Sequence, residues 1–133
     1  MKAGLVTLVT TVFLLGSLTA IAAPIDDLLS AYASSGTEPF EVARGKALWQ
    51  QDHPAKDGHP RSCTSCHTDE PRNPGRHATT GKAIDPLAPS VVADRLTVRR
   101  EIEKWLKRNC KWTLGRECSA QEKGDLLTFL LTS

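Results

Sequence analysis

The sequence predicts an all-α fold with long ordered loops, and three observations carry that prediction. No stretch of the 133 residues alternates apolar and polar side chains as a half-buried strand would. Two internal stretches repeat apolar residues at helical spacing. A third, at the C-terminus, opens with a helix-capping sequence.

Residues 1–22 read as an export signal. Lys2 is the only charge before Asp26, and an apolar run extends from Leu5 to Leu18. Ala20-Ile21-Ala22 then supplies the small–x–small pattern a signal peptidase needs, so cleavage is expected after Ala22. The alternative is an uncleaved anchor. A spanning helix takes about 20 apolar residues, and this run is shorter and diluted by threonines. What remains is one domain, residues 23–133, in an oxidising, periplasmic compartment that permits disulfides. Losing Lys2 lowers the formal charge from +2 to +1. A charge so nearly balanced argues against a nucleic-acid protein, and after cleavage no segment holds the chain to a membrane.

Residues 24–33 (PIDDLLSAYA) predict a short helix, with Pro24 at its start and acids in its first turn. Ser34 to Thr37 breaks it. Val42, Gly45, Leu48 and Trp49 fall at i, i+3, i+6 and i+7, which predicts an amphipathic helix over about 38–51. A glycine inside a helix costs about 1 kcal/mol against alanine. Gly45 is therefore either incidental or the place where another helix comes close. Residues 52–62 are polar and contain Pro54, Gly58 and Pro60, so they read as loop. Residues 69–90 hold Pro71, Pro74, Pro86 and Pro89 and read as an ordered loop. A loop that long in a small domain is usually functional or wrapped on a ligand.

Val98, Ile102, Trp105 and Leu106 form the next apolar stripe, at i, i+4, i+7 and i+8, on a helix expected over 97–108. Its other face carries Arg99, Arg100, Lys104, Lys107 and Arg108. Residues 110–118 read as a short loop. Ser119 and Glu122 make a capping box for the last helix, which Leu126, Leu127, Leu130 and Leu131 would bury.

The chemistry sits in Cys63-Thr64-Ser65-Cys66-His67. Two thiols at this spacing can add to the two vinyl groups of a haem, and the next residue then brings its imidazole under the iron. This predicts one covalent haem c on Cys63 and Cys66, with His67 as proximal ligand. A redox dithiol is one alternative. A zinc site of Cys63, Cys66, Cys110 and Cys118 is another. The second pair lacks the spacing of a zinc knuckle, and nothing βαβ-like surrounds the first. The chain is poor in aromatics, and a domain this small buries a limited core. A buried haem would supply apolar surface, and its two propionates would bring the mature charge to −1.

The other side of the iron is less obvious. Electron-transfer cytochromes c usually place a Met there. The only Met is Met1, which leaves with the signal. The candidates are then His53, His59, His77, a lysine, a neutral group such as Asn, or nothing. In small monohaem cytochromes the distal ligand comes from the segment before the last helix, which here is Arg108-Asn109-Cys110 to Cys118. A Cys110–Cys118 disulfide would be worth very roughly 2–3 kcal/mol in the chain-entropy model, and it would hold Asn109 in place. The other reading of Asn109 is a helix C-cap.

EKWLKRNCKWTLGREC, the upstream GKAIDPLAPS and the CTSCH motif resemble the sphaeroides haem proteins, a family of oxygen-binding monohaem cytochromes c. The resemblance spans about residues 37–131. It implies a class I-like cytochrome c fold, with the haem between N- and C-terminal helices and a high-spin iron. It implies Asn109 as distal ligand and a Cys110–Cys118 disulfide. A neutral carboxamide oxygen is a hard, weak ligand, tolerable on ferric and poor on ferrous iron. Reduction should release Asn109 and open a site for O₂ or NO. The resemblance also implies a dihaem cytochrome c as electron donor, which Arg99, Arg100, Lys104, Lys107, Arg108 and Lys111 could dock. The alternative function is a plain low-spin electron carrier with His77 or a lysine as sixth ligand. A third is weak oxygen or nitric oxide chemistry. The chain shows no dedicated proton-delivery array, so no catalytic residue is expected.

Overall fold

The computed structural model describes residues 24–35, 39–55 and 57–133. The expected export signal, residues 1–22, lies outside the described residues, as does part of the break at 34–37. The chain forms α1 (Pro24–Ala33), α2 (Val42–Gln50), α3 (Thr64–His67), β1 (Gly75–Arg76), β2 (Ala83–Ile84), α4 (Arg99–Thr113) and α5 (Ala120–Thr132). Helices dominate, as expected. The strands are a two-residue antiparallel pair, Gly75 opposite Ile84 and Arg76 opposite Ala83. They pin the neck of the long loop, and segments this short leave no periodicity in a sequence.

α5 is the hub. Its capping box forms as expected: the Ser119 hydroxyl accepts from the Glu122 amide, and the Glu122 carboxylate accepts from the Ser119 amide. α5 packs most extensively against α2, and also against α1. Gly45 makes the first contact possible. A Cβ there would collide with the Asp125 carbonyl and the Phe129 side chain, so Gly45 marks a close helix–helix approach. Leu28 of α1 and Leu127 of α5 are fully buried, beside Ile25 and Ile102. Trp49, Cys110, Cys118, Leu126, Phe129 and Leu130 form the second core cluster.

Two helix boundaries differ from expectation. α2 begins at Val42 rather than near 38, because a distant side chain holds the segment before it. The buried Asp125 carboxylate accepts from the Glu41 amide at 2.7 Å and from Arg44 Nε at 2.9 Å. α4 runs on to Thr113 rather than stopping at 108. Cys110 and Thr113 are both buried and continue the inward face after Ile102 and Leu106. Asn109 is therefore a residue of the helix body, not its C-cap, and residues 110–113 are helix rather than loop. Gly115, at φ 72°, sits in the turn that follows. The Cys110–Cys118 disulfide closes that turn, with Cα atoms 5.6 Å apart.

Among the described residues no helix is long and apolar enough to cross a membrane.

Candidate haem site

A cavity of about 830 Å³ opens between the helices, within the range of small-molecule and cofactor sites. α3 forms one wall. Its single turn is made by the Cys66 and His67 amides donating to the Cys63 carbonyl at 3.3 and 3.1 Å. The turn puts Cys63, Cys66 and His67 together on the lining. Both cysteines are free thiols. Burial pushes the Cys63 thiol up to about 11, so at neutral pH it is a protonated thiol and a poor redox nucleophile. Burial, aided by the Arg95 guanidinium, pushes His67 down to about 4. Its imidazole is neutral at pH 7 and can offer a lone pair.

Several groups hold this turn in place. The Trp49 and His67 rings lie 5.5 Å apart, and Trp49 Nε1 donates to the Thr68 carbonyl at 2.9 Å. Thr68 itself takes φ 63° as the chain leaves the motif. Gly75 of β1 lies against the Cys66 carbonyl, where a Cβ would not fit. The Ala78 amide donates to Cys66 Sγ at 3.3 Å. Of these supports, only Trp49 carries a signal in the sequence, as a helix-face residue. Arg95, whose Nε donates to the Pro86 carbonyl at 2.9 Å, left no periodic or motif signal.

α4 forms another wall with Ile102, Trp105, Leu106 and Asn109. Its apolar stripe serves the cavity more than the core: Val98 is 54% and Trp105 46% exposed, and both line it. Trp105 is bracketed by Lys104 Nζ, 5.2 Å from its ring, and Arg108, 5.5 Å away. Of the distal candidates, Asn109, His77 and Lys82 line the cavity. His53 and His59 stand outside it. The His53 backbone pairs with Arg61, and His59 is exposed.

The residues present fit a haem. Two unpaired thiols and a neutral imidazole share one turn, and α4 leaves large apolar side chains exposed on the same cavity. A four-cysteine zinc site is ruled out, because Cys110 and Cys118 are bonded to each other. Among the described residues no cluster of three or more His, Cys, Asp or Glu side chains is placed to hold a metal ion by itself.

Residues 35–130 match the family described as a domain of unknown function, DUF1924. The cytochrome c-type protein SHP of Cereibacter sphaeroides is 40% identical over 103 residues, which is 77% of this chain and 79% of SHP. The structure of oxidized SHP, an oxygen-binding cytochrome c, superposes with a TM-score of 0.75 at 39% identity, covering 82% of this chain and 96% of that one. The solution structure of cytochrome c'' from Methylophilus methylotrophus, described for its haem-ligand detachment, superposes at 0.72 with 33% identity, covering 82% and 93%. The architecture is thus the all-α cytochrome c fold of these relatives. The chain belongs to the SHP family of c-type cytochromes, within the DUF1924 domain family.

Proposed function

We propose that residues 23–133 form a periplasmic monohaem cytochrome that binds a diatomic gas such as O₂ or NO and takes its electrons from a dihaem cytochrome c. Cys63 and Cys66 carry the thioether links, His67 is the proximal iron ligand, and Asn109 is the distal one. The haem, once attached, supplies the redox-active iron and the coordination position for the gas.

The observation that carries this reading is the place of Asn109. It lines the cavity from α4, in a mature chain with no Met to offer. Its carboxamide oxygen is a weak donor that ferric iron would hold and ferrous iron would release. The freed side chain can then donate a hydrogen bond to an arriving ligand. Oxygen binding in SHP and haem-ligand detachment in cytochrome c'' support this behaviour. Six cations on α4 support docking of an electron donor. Glu101, Glu103 and Glu117 pair with Arg99, Arg100, Lys104, Lys107 and Lys111, and with six cations to three acids the surface stays net positive.

Optical spectra of the ferric and ferrous protein, with and without CO, test the reading. A high-spin ferrous spectrum that changes on CO addition is expected. A low-spin ferrous spectrum indifferent to CO would sink it. That result would favour the second reading, an electron carrier with His77 or a lysine as sixth ligand; His77 and Lys82 both line the cavity.

A further inference from the structure

The cavity is walled mostly by apolar side chains, and its polar rim is uneven. One stretch of the rim is the hairpin closed by β1 and β2, which places His77, Thr79, Thr80 and Lys82 on the lining. The His77 amide donates to the Lys82 carbonyl at 2.8 Å, so these two residues face each other beyond the strand pair. The amides of Thr79 and Thr80 both donate to His77 Nδ1, at 3.3 and 3.1 Å.

Those two bonds decide the state of the ring. A nitrogen that accepts from N–H groups carries no proton, so the neutral imidazole is protonated on Nε2. Nε2 is then a donor with no lone pair for a metal. A metal-bound histidine has the reverse arrangement, giving one ring N–H to a neighbour so that the other nitrogen is free to coordinate. The hairpin makes His77 unsuited to ligate iron and suited to donate a hydrogen bond. Beside it, Lys82 brings an ammonium with no ion-pair partner among the described residues.

A haem is an apolar disc with two carboxylates on its edge, and the rest of the rim offers those carboxylates less. Asp94 and Glu101 are themselves acidic. Arg95 between them already serves the Pro86 carbonyl and lies 3.8 Å from the Asp85 carboxylate. Arg108 lies over Trp105.

The geometry points to the His77–Lys82 hairpin as the carboxylate site of the cavity, with His77 Nε2–H and Lys82 Nζ donating to one haem propionate. This assignment rests on the haem reading above and replaces the one that puts His77 or Lys82 on the iron.

The test uses the haem-loaded protein, with Lys82→Met and His77→Leu compared with the native chain. The mass of the native protein is read first: a chain without covalent haem overturns the haem reading and this one with it. With haem attached, both variants should shift the propionate bending band in the resonance Raman spectrum. Lys82→Met should also lower the midpoint potential, since a nearby cation favours the less positive ferrous state. Lys82 is exposed, so this variant folds even where His77→Leu loosens the hairpin. An unchanged band and potential in fully loaded Lys82→Met would overturn the assignment while leaving the haem reading intact. So would loss of a sixth ligand in ferric His77→Leu, which would make His77 an iron ligand.

Discussion

Trp49 and His67 meet at an angle of 37°, their ring centroids 5.5 Å apart, and one hydrogen bond fixes the pair. Trp49 Nε1 donates to the carbonyl of Thr68, the residue after His67, at 2.9 Å. Trp49 is 3% exposed and also packs on Phe129 of α5. α2 thus ties the haem-binding turn to the core. Trp49→Phe keeps the packing and loses the bond to the exposed Thr68 carbonyl, at an expected cost of about 0.5–1.5 kcal/mol. Trp49→Ala also opens a cavity and should cost roughly 3–5 kcal/mol. Denaturant unfolding of the haem-loaded protein checks both, as a fall in midpoint at constant slope. Equal midpoints for native and Trp49→Ala would remove this tie.

Gly45→Ala sets two effects against each other. Helix propensity favours alanine by about 1 kcal/mol. The new methyl would meet the backbone carbonyl of Asp125, which α5 cannot turn aside, and the Phe129 Cβ. Overpacking of this kind costs about 1–3 kcal/mol, occasionally more. The collision is with main chain, so it should win, and Gly45→Ala is expected to destabilise. A raised melting temperature would show that α2 and α5 can slide apart freely.

Much of this was legible in the sequence for a physical reason: local signals fixed it. The helix at 24–33, the capping box at Ser119 and Glu122, and the shared turn of Cys63, Cys66 and His67 depend on neighbours in the chain. The start of α2 depends on Asp125, 84 positions from Glu41, and no window around residue 38 contains it. α4 runs past the expected 108: Asn109 reads as a C-cap and Cys110 as the start of a loop, whereas Cys110 and Thr113 are buried and continue the helix. The apolar stripe of α4 was legible, but not its target. A stripe that faces a cofactor cavity and one that faces the core are written in the same residues. The tautomer of His77 depends on amides of a turn that no motif announces.

The last helix should carry a measurable acid signature. The Arg116 guanidinium and the Ser119 amide hold the Glu122 carboxyl down at about 2, against some opposition from burial. A carboxyl depressed in the folded state stabilises fully above its unfolded value of 4.5, and that contribution is lost as pH falls toward 2. Glu122→Gln can still bond the Ser119 amide but loses the charge. Arg116 is largely exposed, so solvent screening limits the loss at neutral pH to roughly 0.5–1 kcal/mol. The gap between native and variant should close between pH 4.5 and 2. A gap that stayed constant over that window would mean the charge contributes nothing.

Asn109→Ala separates the site from the fold more cleanly than any other substitution. Asn109 is exposed within the body of α4, and its side chain serves no cap. Alanine there should gain helix propensity, by about half a kcal/mol, so the variant should melt no lower than the native protein. The Cys110–Cys118 disulfide next to it remains and keeps the last turn of α4 in register. With Asn109 on the ferric iron, Asn109→Ala should change the ferric spectrum to that of a five-coordinate or water-bound haem. The ferrous spectrum should change little, because reduction has already released the side chain. Affinity for a diatomic should fall only by the hydrogen bond the carboxamide can donate, worth about 0.5–1.5 kcal/mol or roughly a factor of 2–12. A ferric spectrum identical to the native one would take Asn109 off the iron. A large change in the ferrous spectrum would mean that Asn109 stays bound after reduction and that this face of the haem is closed.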